Sequence, residues 1–152
     1  MYPLDLIALG RLRLDPCRDL AKHYLDMLRP YARVDLVELP EGKGDPVRQL
    51  KEEAVRIRAR IQGVKCPVLL TPEGKLRDSE ALARWLGERM DRGDSLAFVL
   101  GSSHGFDPAL KAEVREQISL SPLTFPHELS RVVFLEQLYR AFTILGGKTY
   151  HK

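Results

Sequence analysis

Cysteine is scarce in this sequence, and the two cysteines it has cannot form a structural framework. Cys17 and Cys66 lie far apart, form no Cys-x-x-Cys pair and have no histidine cluster at ligand spacing. Disulfide scaffolds and zinc sites need several such residues at short, regular spacings. The sequence therefore predicts no disulfide and no metal site, and free thiols are typical of a reducing, cytoplasmic compartment.

Long hydrophobic runs and a strong charge of one sign are missing as well. No apolar run reaches the roughly 18 residues that a membrane span needs, and Asp5 interrupts the N-terminal segment where a signal peptide would be apolar. We therefore expect a protein that is neither secreted nor membrane-spanning. The net charge of +3 is too small to indicate a nucleic-acid partner by itself.

The composition that is present is that of a folded domain. The 152 residues are 44% hydrophobic and 30% charged, and domains are typically about 100 to 150 residues long. A chain of this size buries about 68 to 70% of the surface that its unfolded form exposes, which is enough for a full hydrophobic core. We expect residues 1–152 to form a single domain.

Short apolar runs rich in branched side chains alternate with segments of helical period. This alternation is typical of a mostly parallel sheet whose strands are joined by crossover helices. The sequence therefore predicts an α/β fold with one sheet of five strands, at residues 3–9, 34–39, 66–71, 96–100 and 118–120.

Three helices are marked by an aspartate followed by a proline, at Asp15-Pro16, Asp45-Pro46 and Asp107-Pro108. The aspartate is a good N-cap acceptor, and proline fits the first helical position. Ser79 begins another helix. The helix at residues 47–62 has a basic outer surface, which we interpret as a solvated face, with an RNA-facing surface as the alternative.

The last helix, at residues 127–145, is apolar around almost its whole circumference. Such a helix must be buried on more than one side. In so small a domain, one side on the sheet leaves another for a second subunit, so we predict a symmetric homodimer through this helix. The alternative is a helix that is wholly internal to a monomer.

The glycine-rich turn at residues 101–105 is the first candidate site, because it follows an apolar strand at the edge where open α/β sheets bind ligands. It matches neither the dinucleotide-binding fingerprint nor the Walker loop. It does fit Gly-x-Ser-x-Gly, the nucleophile elbow, with Ser103 as nucleophile and His127 or His151 as base. In a true elbow the helix begins at the serine, whereas here it begins at Asp107-Pro108, so we disfavour a serine hydrolase.

Two further segments are candidates. Residues 118–127 contain Pro122 and Pro126, which stiffen a loop and leave backbone groups free to bind a planar ligand. The tail at residues 146–152 carries a tyrosine, a histidine and two lysines that could stack on and hydrogen-bond a nucleobase, although a frayed terminus is the alternative.

The order of these motifs resembles the bacterial ribosomal RNA large subunit methyltransferase H family, within the SPOUT, or α/β-knot, superfamily. The resemblance covers nearly the whole chain. It is carried by residues 70–75 (Leu-Thr-Pro-Glu-Gly-Lys), 98–105 (Phe-Val-Leu-Gly-Ser-Ser-His-Gly), 118–127 (Ile-Ser-Leu-Ser-Pro-Leu-Thr-Phe-Pro-His), 136–141 (Glu-Gln-Leu-Tyr-Arg-Ala) and the terminal Tyr150-His151.

The resemblance implies a Rossmann-like, mostly parallel sheet with helices on both faces, a C-terminal trefoil knot and an obligate homodimer. It also implies S-adenosyl-L-methionine as cofactor and methylation of N3 of a pseudouridine in 23S rRNA, within the assembled 70S ribosome. The cofactor-binding residues would be Leu70, Gly101, Ser102, Gly105, Leu120, Ser121, Pro122, Leu123, Thr124 and Phe125. The catalytic residues would be His127, Glu136, Arg140, Tyr150 and His151.

Within that resemblance, we expect Arg140 to favour the anionic nucleobase while His127 or His151 accepts its proton. Two residues depart from the family pattern. Ser102 stands where the family usually has a second glycine, and a positive φ there would cost about 1 kcal/mol. Thr71 stands where the family tends to have an aspartate. Ser102 therefore motivates one alternative, a ribosome-binding module with a vestigial cofactor pocket.

Overall fold

The computed structural model describes residues 1–152 and has one five-stranded sheet in which all paired strands are parallel. Five strands and five helices alternate along most of the chain: β1 (Tyr2–Leu9), α1 (Asp15–Leu28), β2 (Ala32–Leu39), α2 (Pro46–Ile61), β3 (Cys66–Leu76), α3 (Ser79–Asp91), β4 (Leu96–Leu100), α4 (Pro108–Glu113), β5 (Glu116–Ser119) and α5 (His127–Leu145). The strand order is β2-β1-β4-β3-β5. The predicted α/β class and all five predicted strands are confirmed.

Each sheet face has its own hydrophobic core, because neighbouring residues on a strand point to opposite faces. On one face, Ile7 and Leu69 pack with side chains of α2 and α4. On the other, Leu6 and Phe98 pack with side chains of α1, α3 and α5. The central strands β1 and β4 are therefore apolar on both sides along most of their length, as parallel strands covered by helices require.

Helix α5 packs against both α1 and α3 and touches β4 beneath them. This arrangement buries nine of its residues within a single chain. The internal packing that was the alternative to a dimer therefore accounts for most of the apolar surface of α5. Leu129 and Leu145 of α5 remain 40% and 43% exposed, and they are apolar residues that a second subunit would cover. None of the helices is long and apolar enough to cross a membrane.

Two of the three predicted aspartate caps are confirmed. The Asp45 carboxylate accepts the N–H of Arg48 at 3.0 Å, and the Asp107 carboxylate accepts the N–H of Ala109 at 3.2 Å. The prediction for Asp15 is wrong, since α1 begins at that residue and Leu14 is its N-cap without a side-chain bond. For α1, the hydrogen-bond acceptor comes from a residue of another helix.

The substitute cap for α1 is Glu128, on the first turn of α5. Its Oε1 accepts the backbone N–H groups of Arg13 at 2.6 Å and Leu14 at 3.0 Å. The bond from the Leu14 N–H, followed by that from Arg13, lowers the pKa of Glu128 below its usual value. A sequence pattern local to α1 could not have predicted an acceptor that lies more than a hundred residues away.

The third strand is longer than predicted, and the fifth strand ends one residue earlier. Pairing between β3 and β5 breaks after Leu70 and resumes at Lys75. Residues 71–74 therefore leave the ladder, while Gly74 passes so close to β5 that a Cβ there would lie 2.6 Å from the backbone nitrogen of Ile118. Leu120 lies outside the strand, in the loop that leads to α5.

Candidate functional site

A cavity of about 340 Å³ opens at the carboxyl ends of β3 and β4. Its volume lies in the range of small-molecule pockets, about 300 to 1,000 Å³, and its position is the usual ligand site of open α/β sheets. The structure brings nine of the ten predicted cofactor residues to its lining, and Pro122 is the one left out. The nine are Leu70, Gly101, Ser102, Gly105, Leu120, Ser121, Leu123, Thr124 and Phe125.

The turn at residues 101–105 borders this cavity and is closed by a bond within its own backbone. The Gly105 N–H donates to the Ser102 carbonyl at 2.9 Å, and Gly105 has a φ of +81°. A Cβ at Gly101 would lie 2.7 Å from the Gly105 carbonyl oxygen. Glycine is therefore required at position 101 by close approach and at position 105 by the left-handed backbone.

Ser102 causes no backbone strain, because the positive φ on which that cost depended is not present. No residue other than glycine has a positive φ. The Ser102 side chain instead turns away from solvent and donates a 2.7 Å hydrogen bond to Oε1 of Glu53 on α2. In the sequence, Ser102 was singled out only because the family usually has a glycine at this position. That observation gave no information about which group the hydroxyl contacts.

Glu53 is a functional-site candidate that the sequence analysis missed. It is 2% exposed, and its other oxygen accepts the N–H of Gly42 at 2.9 Å and the amide of Gln49 at 3.1 Å. The carboxylate thus joins α2, the β2–α2 loop and the glycine-rich turn. On a helix with many charged residues, nothing in the periodicity distinguished Glu53 from its half-buried neighbour Glu52.

One carboxylate and one lysine lie in the cavity lining, and neither was predicted. The Thr71 hydroxyl donates to Glu73, and Lys111 on α4 places its Nζ 3.4 Å from Oε2 of the same carboxylate. The bond from Thr71 is the largest cause of a lowered pKa of Glu73, with Lys111 adding to it. Glu73 is therefore ionised at neutral pH.

The remaining polar side chains in the lining come from the turn, from Ser121 and Thr124 in the loop at residues 120–125, and from the start of α5. His127 and Ser130 are half-buried there, whereas Ser103 and His104 are exposed. No hydrogen bond joins Ser103 to a histidine, and α4 begins only at Pro108. The structure does not support the nucleophile elbow that the sequence pattern suggested.

The other four predicted catalytic residues form a separate cluster at the far end of α5, which we call the tail cluster. Both Nε and Nη2 of Arg140 donate to Oε1 of Glu136, the former at 3.0 Å. The Tyr150 hydroxyl donates to the same oxygen at 3.1 Å, and Nη1 of Arg140 lies 3.2 Å from Nδ1 of His151. The Arg140 guanidinium also stacks over the Tyr150 ring at 4.9 Å.

Partial burial is the main cause that raises the pKa of Tyr150 to about 12, and the hydrogen bond to Glu136 adds to the shift. The Tyr150 ring packs edge-on against Tyr139, with centroids 4.8 Å apart. The tail is therefore held against the helix that precedes it. A frayed terminus, the alternative considered for this segment, is not what the structure contains.

His127 and the tail cluster cannot meet within one chain. His127, Glu136 and Arg140 lie on the same helix, and nine residues separate His127 from Glu136. At 1.5 Å per residue this is about 13.5 Å along the axis, and Arg140 is about 20 Å away. The five predicted catalytic residues thus fall into two groups.

The basic outer surface of α2 is largely paired within the chain. Arg58 makes a two-point ion pair with Glu113, the shorter distance being 2.8 Å, and Arg56 donates to the carbonyl of Pro40 at 3.0 Å. Arg48 lies 3.5 Å from Glu52. These contacts favour the interpretation of this surface as a solvated helix face.

Comparisons with known proteins agree over nearly the whole chain. The family described as "Predicted SPOUT methyltransferase" matches residues 3–151. Among curated proteins, "Ribosomal RNA large subunit methyltransferase H" from Gemmatimonas aurantiaca is 38% identical over 152 aligned residues. The alignment covers 97% of each of the two chains.

Proposed function

The chain belongs to the SPOUT methyltransferase family, and from that premise we propose that it transfers a methyl group from S-adenosyl-L-methionine to N3 of a pseudouridine in 23S rRNA. The proposed substrate is the assembled 70S ribosome, which makes the protein cytoplasmic. The observation that carries the proposal is the cavity. Its lining joins Leu70, the turn at residues 101–105 and the loop at residues 120–125, the segments that the resemblance assigns to the cofactor.

The residues of the cavity fit this cofactor. Leu70, Leu100 and Phe106 give it apolar walls for an adenine ring, and the glycine-rich turn offers backbone groups beside them. Polar side chains also line the cavity, and such groups fix the orientation of the ligand in small-molecule sites. When bound, the cofactor supplies an electrophilic methyl group on a sulfonium.

We also propose that the active unit is a homodimer with α5 in its interface, and that the C-terminal half of each chain forms the knot of the family. The separation of His127 from the tail cluster supports the dimer. A second copy could bring its own Tyr150 and His151 to the first copy's cavity, which one chain alone cannot do. Leu14 and Leu129, which are 58% and 40% exposed, offer apolar surface near that cavity.

The chemistry at the nucleobase requires the removal of a weakly acidic proton from N3. A cation beside the base lowers the free energy of its anionic form, and a nearby acceptor takes the proton. Arg140 is the cation of the tail cluster and is permanently charged. Packing of the tail against the ribosomal substrate would also exclude water and align the nitrogen with the methyl group.

His127 is the better of the two proposed proton acceptors. In the tail cluster, Nδ1 of His151 faces a guanidinium N–H of Arg140, which can only donate. A neutral His151 therefore carries its proton on Nε2 and has no free acceptor nitrogen. His127 has no such partner, and it already lines the cavity.

Methyl transfer to ribosomes that lack the modification tests the proposal. Labelled S-adenosyl-L-methionine is supplied with assembled ribosomes or with free 23S rRNA, and mass spectrometry locates the product. We expect one methylated pseudouridine, in assembled ribosomes alone. Gly101→Val is the matched inactive control, because its side chain would displace the Gly105 carbonyl.

The absence of transfer by a folded, cofactor-binding protein would overturn the proposed reaction. It would favour the ribosome-binding module considered above. The observation that motivated that alternative was strain at Ser102, and the structure contains none.

A further inference from the structure

The cavity has one fixed negative and one fixed positive side chain, and they face each other. Among its nineteen lining residues, Glu73 is the only carboxylate, and Lys111 is the only lysine or arginine. The Lys111 Nζ lies 3.4 Å from Oε2 of Glu73. The proposed methyl transfer, as argued so far, uses neither of them.

The position of Glu73 is built into the sheet. Residues 71–74 leave the β3–β5 ladder between Leu70 and Lys75, and this break carries Glu73 to the cavity. Thr71 is 6% exposed and donates its hydroxyl to the Glu73 carboxylate. A buried donor therefore fixes a carboxylate that itself remains open to a ligand.

The Glu73–Lys111 pair contributes little to the stability of the fold. The Glu73 side chain is 68% exposed and the Lys111 side chain 29%. Ion pairs this open contribute about 0 to 1 kcal/mol, because water screens them and two long side chains must be ordered. The two side chains can therefore separate at small cost and accept new partners between them.

We propose that Glu73 and Lys111 together bind the amino-acid end of S-adenosyl-L-methionine. This inference rests on the proposed function, since it assumes the cofactor. The Glu73 carboxylate accepts hydrogen bonds from the α-ammonium, and the Lys111 ammonium donates to the α-carboxylate. A zwitterion inserted into an existing ion pair satisfies both charges and leaves the net charge of the site unchanged.

This assignment also accounts for the second departure from the family pattern. Thr71 occupies the position where the family tends to have an aspartate, so this chain has no carboxylate there. Glu73 provides one two residues later on the same segment, and Thr71 orients it through its hydroxyl. The histidines of the lining do not substitute for it, because neither His104 nor His127 can carry a negative charge.

Three ligands separate the contributions of the cofactor's parts. S-adenosyl-L-methionine has the amino-acid group and the sulfonium charge, S-adenosylhomocysteine has only the amino-acid group, and 5′-methylthioadenosine has neither. Isothermal titration calorimetry gives Kd for each ligand with the unaltered protein, Glu73→Gln and Lys111→Met. Glu113→Gln is the matched control, since Glu113 is an ion-paired glutamate on α4 that lies outside the cavity lining.

We expect Glu73→Gln and Lys111→Met each to weaken binding of the first two ligands about fivefold, the effect of losing one partly exposed ion pair. Binding of 5′-methylthioadenosine should change less than twofold, and Glu113→Gln should change none of the three.

Equal weakening of all three ligands would overturn the inference, because it would mean that the pair only shapes the cavity. Weakening of S-adenosyl-L-methionine alone would overturn it too, since Glu73 would then act on the sulfonium. Unchanged binding of every ligand would contradict it directly. If the unaltered protein binds none of the three, the proposed function itself fails, which is a distinct result.

Discussion

Ser102 donates its hydroxyl to Oε1 of Glu53 across 2.7 Å, and the two residues are 7% and 2% exposed. The bond joins the turn that borders the cavity to α2. Through its second oxygen, Glu53 also holds the N–H of Gly42. The conformation of the turn and the position of this loop are therefore coupled through one carboxylate.

Replacing Ser102 by alanine should lower the free energy of unfolding by about 1 to 3 kcal/mol, because it leaves a buried carboxylate oxygen without its donor. Urea denaturation followed by circular dichroism measures the change. Ser103→Ala is the control, since that exposed residue should alter stability by less than about 0.5 kcal/mol. Equal losses in the two variants would mean that the bond to Glu53 does not stabilise the turn.

Arg131 links α5 to the far edge of the sheet and should be important for stability. It is 3% exposed, donates to Glu38 at 2.6 Å and donates to the Gly10 carbonyl at 3.0 Å. We expect Arg131→Ala to cost about 2 kcal/mol, less than a fully buried pair because Glu38 is 32% exposed. Arg115→Ala, at an exposed arginine without an ion pair, should be neutral, and a neutral Arg131→Ala would contradict the assignment.

Tyr150 should titrate late and make folding sensitive to alkaline pH. Its pKa is raised from 10.0 to about 12 in the folded protein. Between these values the unfolded chain has lost the phenolic proton while the folded chain retains it, so stability is complete below pH 10 and falls as pH rises towards 12. Ultraviolet absorbance measures phenolate formation in the unaltered protein and in Tyr150→Phe. The variant should lack one tyrosine that titrates late. If it lacks a tyrosine with an ordinary pKa instead, the prediction is refuted.

Arg140→Ala should lower kcat for methyl transfer while leaving the Kd of S-adenosyl-L-methionine nearly unchanged, because Arg140 lies outside the cavity lining. Single-turnover transfer to ribosomes gives the rate, and calorimetry gives the affinity. Arg140→Lys keeps the charge but not the two-point contact with Glu136, so it should retain part of the rate. Equal loss of rate and affinity in Arg140→Ala would argue against a role at the nucleobase.

Removing residues 150–152 should spare dimerisation but abolish methyl transfer, since the proposed role of the tail is to complete the partner's cavity. Sedimentation velocity reports the oligomeric state, and the ribosome assay reports activity. Normal turnover by the truncated protein would refute the role of the tail.

Mixing two inactive variants distinguishes completion by the partner from completion within one chain. A truncated chain keeps an intact cavity, and Gly101→Val keeps an intact tail. In a heterodimer of the two, the intact cavity of the truncated chain faces the intact tail of the Gly101→Val chain. Activity should therefore return on mixing if the tail acts on the partner. If the tail acts on its own chain, the mixture stays inactive.

The central strands were predictable because a parallel sheet covered on both faces makes β1, β4 and the first half of β3 apolar runs. The contacts that arrange the site were less predictable, because they join residues far apart in the chain. Glu128 caps α1 from α5, and Glu53 reaches Ser102 from α2. Both carboxylates look like ordinary helix-surface charges in the sequence.

Most residues predicted to bind the cofactor line the cavity, and the division of the catalytic set was predictable too. His127 and Arg140 lie in one continuous helix whose length follows from the sequence. The distance between them could have been calculated in advance. What the sequence does not contain is the way in which the tail folds back on α5, because that depends on packing of Tyr150 against Tyr139.

The strand order also determines when each strand can pair with its neighbours during synthesis of the chain. Strand β1 pairs with β2 on one edge and with β4 on the other, and β4 ends at Leu100, long after β2 has ended at Leu39. At about 5 to 20 residues per second, the nascent chain needs roughly 3 to 12 s to extend from the end of β2 to the end of β4. For those seconds one edge of an apolar strand is without its partner, and an unpaired apolar edge favours pairing with other chains.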